Sequence, residues 1–204
     1  MKKKKIIVFD FDKTLTKKDT LFGFFLFAAN KNFYFYFKVI YYYILMGLAK
    51  LHCIKNEKLK TKGIQLFLSP LTRERLDFKF KNYHKTIRYN SLYSNLDFNA
   101  DAKYFVLSAS FQDYIRPIFP NFVNVFGSTI KYKNDSAKGI LFNCYKEQKA
   151  QLLKKQNIQE IDLLYTDSFS DFELAKMAKN IIIVNDNRLI NCKTHQEFAT
   201  YFKK

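Results

Sequence analysis

Apolar and polar positions along this chain fall into two regimes. Ile6-Ile7-Val8-Phe9 is an unbroken run of strand-forming side chains that stops at Asp10-Phe11-Asp12. A run apolar on both faces predicts a strand buried inside a parallel sheet. The same pattern returns at Tyr104–Leu107, Val123–Phe126, Ile161–Tyr165 and Ile181–Val184. Phe111–Ile118, Lys146–Gln156 and Phe172–Ala178 predict intervening helices, and Ser128–Asn143 predicts a hairpin turning at Asn134-Asp135. Alternation of this kind predicts an α/β fold with a doubly wound, Rossmann-like parallel sheet.

Residues 16–99 break that rhythm. Phe and Tyr recur at helix-compatible spacing, interrupted by Gly23, Gly47 and Gly63 and by Ser69-Pro70, which predicts three or four helices. The expected organisation is a core domain of 1–15 and 100–204 with a small inserted all-helical cap at 16–99. Phe33–Ala49 is very apolar but carries Lys38 and five tyrosines, short of the charge-free stretch of about 18 residues that a membrane span needs. It is read as the aromatic core of the cap, with a membrane-surface helix left open.

Composition narrows the classes. With 48% apolar and 18% aromatic residues in 204, the chain can bury a sizeable core, which excludes disorder. The basic start Met1–Lys5 runs straight into the strand without a signal-type apolar region. Cys53, Cys144 and Cys192 are odd in number and widely spaced, and His52, His84 and His195 cluster with nothing. A disulfide or zinc framework is not expected, and the reading is cytoplasmic. The formal charge of +17 invites nucleic acid or an anionic surface, but 30 of the 35 basic residues are Lys and no nucleic-acid signature is present. A solvated lysine surface is expected rather than nucleic-acid binding.

The predicted strands end in chemistry. Asp10 and Asp12 follow the first, Ser108-Ala109-Ser110 the second, and Asp167-Ser168-Phe169-Ser170-Asp171 a later one. A parallel sheet gathers such ends at one edge, where ligands bind. Acids for a metal, a hydroxyl and backbone amides for phosphoryl oxygens, and Lys149 as a cation make a set suited to phosphate and magnesium. Each piece has a plainer reading, as turn residue, helix cap or surface lysine; their joint occurrence at strand ends does not.

These motifs, in this order, resemble the haloacid dehalogenase superfamily of phosphohydrolases. Asp10-Phe11-Asp12-Lys13-Thr14 resembles the first motif, Ser108 in Val-Leu-Ser-Ala-Ser the second, Lys149 the third and Asp167 to Asp171 the fourth. A cap directly after the first motif resembles the phosphoserine-phosphatase-like subclass. Two positions depart from the family pattern: Lys13 and Lys146 stand where relatives commonly have glycine.

The resemblance implies a Mg2+-dependent phosphomonoester hydrolase. Asp10 would be the nucleophile and Asp12 the general acid/base, with Ser108, Ala109 and Lys149 binding phosphate. Metal would be held by Asp10, the backbone carbonyl of Asp12 and Asp167, with Asp171 outside them or orienting Lys149. Asp19 resembles a residue that meets the substrate's amino group, its plainer reading being a helix cap; Lys60 or Lys62 could supply a cationic clamp. The expected partner is a small phosphorylated metabolite of amino-alcohol, polyol or sugar type. The alternatives are a phosphatidylglycerophosphate-type lipid phosphatase at the membrane surface and a non-enzymatic basic binding protein. The sequence leaves the oligomeric state open.

Overall fold

A computed structural model describes residues 4–99 and 101–203, so most of the basic start and the expected boundary at residue 100 lie outside the described residues. Strand β1 (Lys5–Asp10) is followed by α1 (Leu21–Ala28), α2 (Phe35–Lys50), α3 (Asn56–Gly63), α4 (Arg73–Tyr83) and a single turn α5 (Ser91–Ser94). Helix α3 runs directly into a π-helical turn, Ile64–Leu68. Then come β2 (Ala102–Phe111), α6 (Gln112–Ile115), β3 (Asn124–Lys133), β4 (Ser136–Phe142), α7 (Glu147–Lys155), β5 (Leu163–Thr166), α8 (Phe172–Ala175), β6 (Ile181–Asn185), β7 (Arg188–Cys192) and α9 (His195–Tyr201).

The seven strands form one sheet in the order β4-β3-β2-β1-β5-β6-β7. The five central strands are parallel, and β4 and β7 close the edges as antiparallel hairpin arms. Strand β1 therefore sits in the middle, and its carboxyl end opens onto the crevice where the chain order reverses. Val8, Phe105, Leu107, Leu164 and Ile183 pack with α7, α8 and α9 on one face, which is why the short strands are apolar throughout.

Two strand predictions need correction. The predicted strand at Val123–Phe126 and the first arm of the Ser128–Asn143 hairpin are one element, β3, because Gly127 lies inside the strand rather than ending it. The hairpin turn is at Asn134-Asp135, both with positive φ (49° and 59°), the geometry that matches strand twist in a two-residue loop. Strand β7 extends the sheet beyond the last predicted strand, and helix α9 follows it to pack on one face.

The β2–β3 ladder explains Gly127. Leu107 pairs with Phe126 and Phe111 with Ser128, so four steps along β2 match two along β3. Ser108-Ala109-Ser110 stand opposite Gly127 alone, two residues more than the ladder needs, and bulge out of it at the crevice end of the strand. A Cβ at Gly127 would lie 2.6 Å from the Gln112 backbone nitrogen and 2.7 Å from the Ser110 carbonyl oxygen.

The helices between β1 and β2 share one apolar cluster with the other face of the sheet. Phe24 stacks on Phe80 with ring centroids 4.8 Å apart and meets Phe111 and Tyr114, while Phe25 meets Phe67 and Phe111. The chain leaves and re-enters the sheet region at one point. Thr16 bridges Tyr89, Lys17 donates its amide to the Arg88 carbonyl, and the Asn90 amide donates to the Leu15 carbonyl.

Helix α2 overturns its expected burial. Only Tyr42 and Leu45 are buried, with Phe35, Val39 and Met46 partly buried against the cluster. The helix is apolar all round, and periodicity cannot tell which side of such a helix meets a core. Phe33, Phe37, Ile40 and Ile44 point outward.

Gly127→Ala is expected to cost about 3 kcal/mol of stability, because its methyl group meets backbone rather than a movable side chain. Urea unfolding measures it, and a cost near zero would show that the bulge adjusts.

Candidate active site

The carboxyl end of β1 delivers Asp10 into a crevice of about 180 Å³ lined by Asp12, Lys13, Asp19, Lys60, Ala109, Ser110, Tyr145, Lys149, Asp167 and Ser170, among others. Asp10 is 6% exposed, and its Oδ1 accepts from Lys149 Nζ at 2.6 Å. Lys149 is 2% exposed and pairs also with Asp171 Oδ1 at 2.8 Å. Asp171 is fully buried, and its other oxygen accepts from Thr166 Oγ1 at 2.8 Å. The end of β1, the first turns of α7 and the turn after β5 thus meet at one ammonium group.

The charges are unevenly matched. Burial alone would draw the Lys149 ammonium down, but Asp10 and Asp171 outweigh it and hold the group protonated. Burial pushes the Asp10 carboxyl well above the usual carboxylate range, reinforced by Asp171 and Asp167 and opposed by Lys149. Asp167, half-buried and in contact with Asp10, is pushed up to about 6, chiefly by burial. Two carboxyl groups this close do not both ionise readily without a cation between them.

That donor set fits a hard divalent cation. Among the described residues no trio of His, Cys, Asp or Glu side chains converges as an all-protein cage. Two carboxylates completed by backbone, water and substrate oxygens is the Mg2+ pattern. The thiol of Cys144, beside the crevice, is pushed up to about 11 by burial, which leaves it a poor nucleophile.

Asp12 is held from two sides. Its Oδ1 accepts from the Thr20 amide at 2.7 Å and the Thr20 hydroxyl at 2.6 Å, and its Oδ2 from Ser108 at 3.1 Å and Ser110 at 2.6 Å. Thr20 is in turn placed by the hydroxyls of Tyr83 and Tyr114, each 2.8 Å away. Ser108 is fully buried, and its oxygen also accepts from the Ser110 amide; Ser110 and Ala109, rather than Ser108, line the crevice. Asp19 has both of its predicted aspects. It accepts from the Leu21 amide at 3.0 Å at the start of α1, and it lines the crevice. Solvent reaches Asp19 through the mouth, but protein surrounds the rest of it. This recess and the Asp12 charge push it up to about 6.

A family model described as haloacid dehalogenase-like hydrolase matches residues 7–176, spanning every residue of this constellation. The chain belongs to that family. A search of curated proteins found no match. Among solved structures, this hydrolase is similar to a protein of unknown function from Bordetella pertussis Tohama I (16% identity, 88% of this chain and 89% of that one, TM-score 0.69). It is similar also to a substrate-bound phosphoserine phosphatase (18%, 98% and 99%, 0.62) and to a phospho-aspartyl intermediate analogue of phosphoserine phosphatase (20%, 89% and 87%, 0.61). At these identities the likeness is one of fold.

Lys60 is a component that spacing did not single out as buried, since it is one lysine among 30. It projects from α3, 1% exposed, and its Nζ donates to the Ala109 carbonyl at 2.5 Å, Asn143 Oδ1 at 2.7 Å and Ser128 Oγ at 3.2 Å. These partners are neutral, and burial lowers the ammonium to about 7. Ser110 belongs to the second strand-end motif but has no role assigned from sequence, and Tyr145 has none either. Ser110 acquires its place only through the bulge.

The two departures from the family pattern in this hydrolase both fall on left-handed backbone. Lys13 has φ 57°, and Lys146, directly before α7, has φ 53° with ψ −127°, a region suited to glycine. Lys146→Gly is expected to stabilise the protein by about 1 kcal/mol, the relief of strain exceeding glycine's entropy cost, whereas Lys146→Ala gains nothing. Thermal unfolding of the three proteins checks this, and equal midpoints would mean that the conformation carries no strain.

Lys60 gives a pH prediction. Its folded value lies below the ordinary lysine value of 10.5, so between about 7 and 10.5 the unfolded chain binds more protons and stability rises with pH. The slope is at most about 1.4 kcal/mol per pH unit. Urea titrations at pH 7 and pH 9 should show wild type gaining about 2 kcal/mol more than Lys60→Met over that interval. The same gain in both proteins would mean that Lys60 does not titrate in that window.

Proposed function

We propose that this hydrolase is a phosphatase acting on a small phosphorylated substrate through a phosphorylated Asp10, with Mg2+ bound. In this reading 16–99 cap a catalytic core of 1–15 and 100–204. The observation that carries it is Lys149 shut between Asp10 and Asp171, 2.6 and 2.8 Å from their oxygens, at the carboxyl end of the central strand. A cation so placed keeps the nucleophile's carboxylate aimed into the crevice and offsets part of the charge that a phosphate dianion brings.

The steps follow from positions. An Asp10 oxygen attacks phosphorus, and the bond from phosphorus to the leaving oxygen breaks. Asp12 gives its proton to that oxygen, then takes one from the water that attacks the acyl phosphate, releasing phosphate and restoring Asp10. Thr20, Ser108 and Ser110 hold Asp12 in place for both transfers. With the Ser110 amide taken by the Ser108 hydroxyl, the Ala109 backbone at the crevice would meet the phosphoryl oxygens. Asp10, Asp167 and the Asp12 carbonyl would hold Mg2+, which would supply the positive charge that phosphate needs among carboxylates. Two unit charges about 4 Å apart repel by roughly 4 kcal/mol at an effective dielectric of 20. Asp19 at the crevice mouth favours a leaving group bearing an amine, which would offset its charge.

The test is hydrolysis of an aryl phosphate with and without Mg2+. Wild type should turn over only with the divalent ion, and Asp10→Asn should lose at least about a thousandfold while keeping its circular dichroism. Asp12→Asn should lose about a hundredfold or more. Turnover by Asp10→Asn near the wild-type rate, or full activity after exhaustive chelation, would overturn the reading.

A further inference from the structure

We propose that the outward face of α2 is a docking surface for an anionic lipid bilayer. Phe33, Phe37, Ile40, Ile44, Leu48 and Leu51 follow one another at steps of three or four, so they form one stripe along the helix and the residues flanking it. All six are exposed: Phe33 79%, Phe37 62%, Ile40 59%, Ile44 57%, Leu48 37% and Leu51 72%. Tyr36 and Tyr43, seven residues apart, are also exposed, at 72% and 56%. The opposite side, through Tyr42 and Leu45, anchors the helix to the core cluster. Isolated apolar side chains on a surface need no explanation, but a continuous stripe of this length does.

Charge selects the occupant. From Thr20 to Asn56 the chain has no Asp or Glu, while the exposed Lys31, Lys50 and Lys55 stand beside the stripe and Lys38, four residues before Tyr42, lies half-buried on the anchoring side. The whole protein carries +17. A second copy would bring lysines against lysines with no acid between them, whereas an anionic bilayer supplies the missing negative charge. The side-chain types agree, since tyrosine and phenylalanine favour the boundary where an apolar body meets acyl chains and a polar tip meets water. Sixteen residues make a helix of roughly 24 Å at 1.5 Å per residue, which suits lying in the boundary. Among the described residues no helix is long and apolar enough to cross a membrane.

Docking there would orient the site. A hollow beside the end of α2, lined by Ala49, His52, Ile54 and Lys146, shares Asn56 and Tyr145 with the catalytic crevice. The lipid surface would therefore lie beside an approach to Asp10, although the docking itself does not depend on the hydrolytic reading.

Vesicle flotation tests it, with phosphatidylcholine alone and with an equal mixture of phosphatidylcholine and phosphatidylglycerol. Wild type should bind the mixed vesicles at least about tenfold more tightly and lose that advantage in high salt. The variant Phe37→Ser/Ile40→Ser/Ile44→Ser should bind them about tenfold less tightly, with unchanged circular dichroism and unchanged hydrolysis of a soluble aryl phosphate. Lys31→Glu/Lys50→Glu/Lys55→Glu should lose the preference for the anionic lipid. Absence of vesicle binding, or equal binding by wild type and the serine variant, would overturn the proposal. So would sedimentation showing a dimer that the serine variant converts to monomer while vesicle binding is unaffected.

Discussion

One ammonium group shut between two aspartates governs this structure. Lys149 is buried with carboxylate oxygens at 2.6 and 2.8 Å. Removing one partner of such a group leaves an uncompensated charge at a cost of about 3–5 kcal/mol, so it holds together only with all its members in register. Helix α7 must present its first turns to β1, and the turn after β5 must bring Asp171 beneath both. The apolar packing of the parallel strands gives the scaffold, and the ion group sets which side chains may occupy its open end.

The helical segment and the sheet are then tied across the crevice by two oppositely charged side chains reaching in opposite directions. Asp12, from the end of the central strand, takes hydrogen bonds from Thr20 at the entrance to α1. Lys60, from α3, gives hydrogen bonds to Ala109, Ser128 and Asn143 on the sheet side. Any motion that widens the crevice must break one or both sets. Access to Asp10 and the chemistry of these two residues are therefore one physical problem, and the aromatic contacts of Phe24, Phe25 and Phe111 behind them resist sliding.

What was legible in the sequence follows the same physics. Strands buried on both faces are uniformly apolar, so β1, the middle of β2, β5 and β6 announce themselves, and acids at their ends are conspicuous because burial there is costly. Signals failed where burial depends on distant packing. Lys60 is chemically identical to lysines that lie in solvent. Ser110 reaches Asp12 only because β2 carries surplus residues opposite Gly127. Helix α2 is apolar on every side, so its periodicity holds no information about which side faces the core. Gly127 resembles a break in sequence and is in fact a point where the neighbouring backbone lies too close for a Cβ.

The meeting of Thr16 with Tyr89, and of Leu15 with Asn90, has a consequence for how such a chain can change over time. Seen from the sheet, everything between those residues is an insert whose two ends are already stitched together. Lengthening an insert with joined ends adds only about 0.6 kcal/mol per doubling, so the strands tolerate inserts of very different size. Composition is constrained instead, because Phe9, Phe11 and Phe111 share one apolar cluster with the insert. A replacement would have to cover those rings but could carry any outer surface. The outer face of the insert can then change shape and charge without disturbing the packing that holds the floor of the crevice.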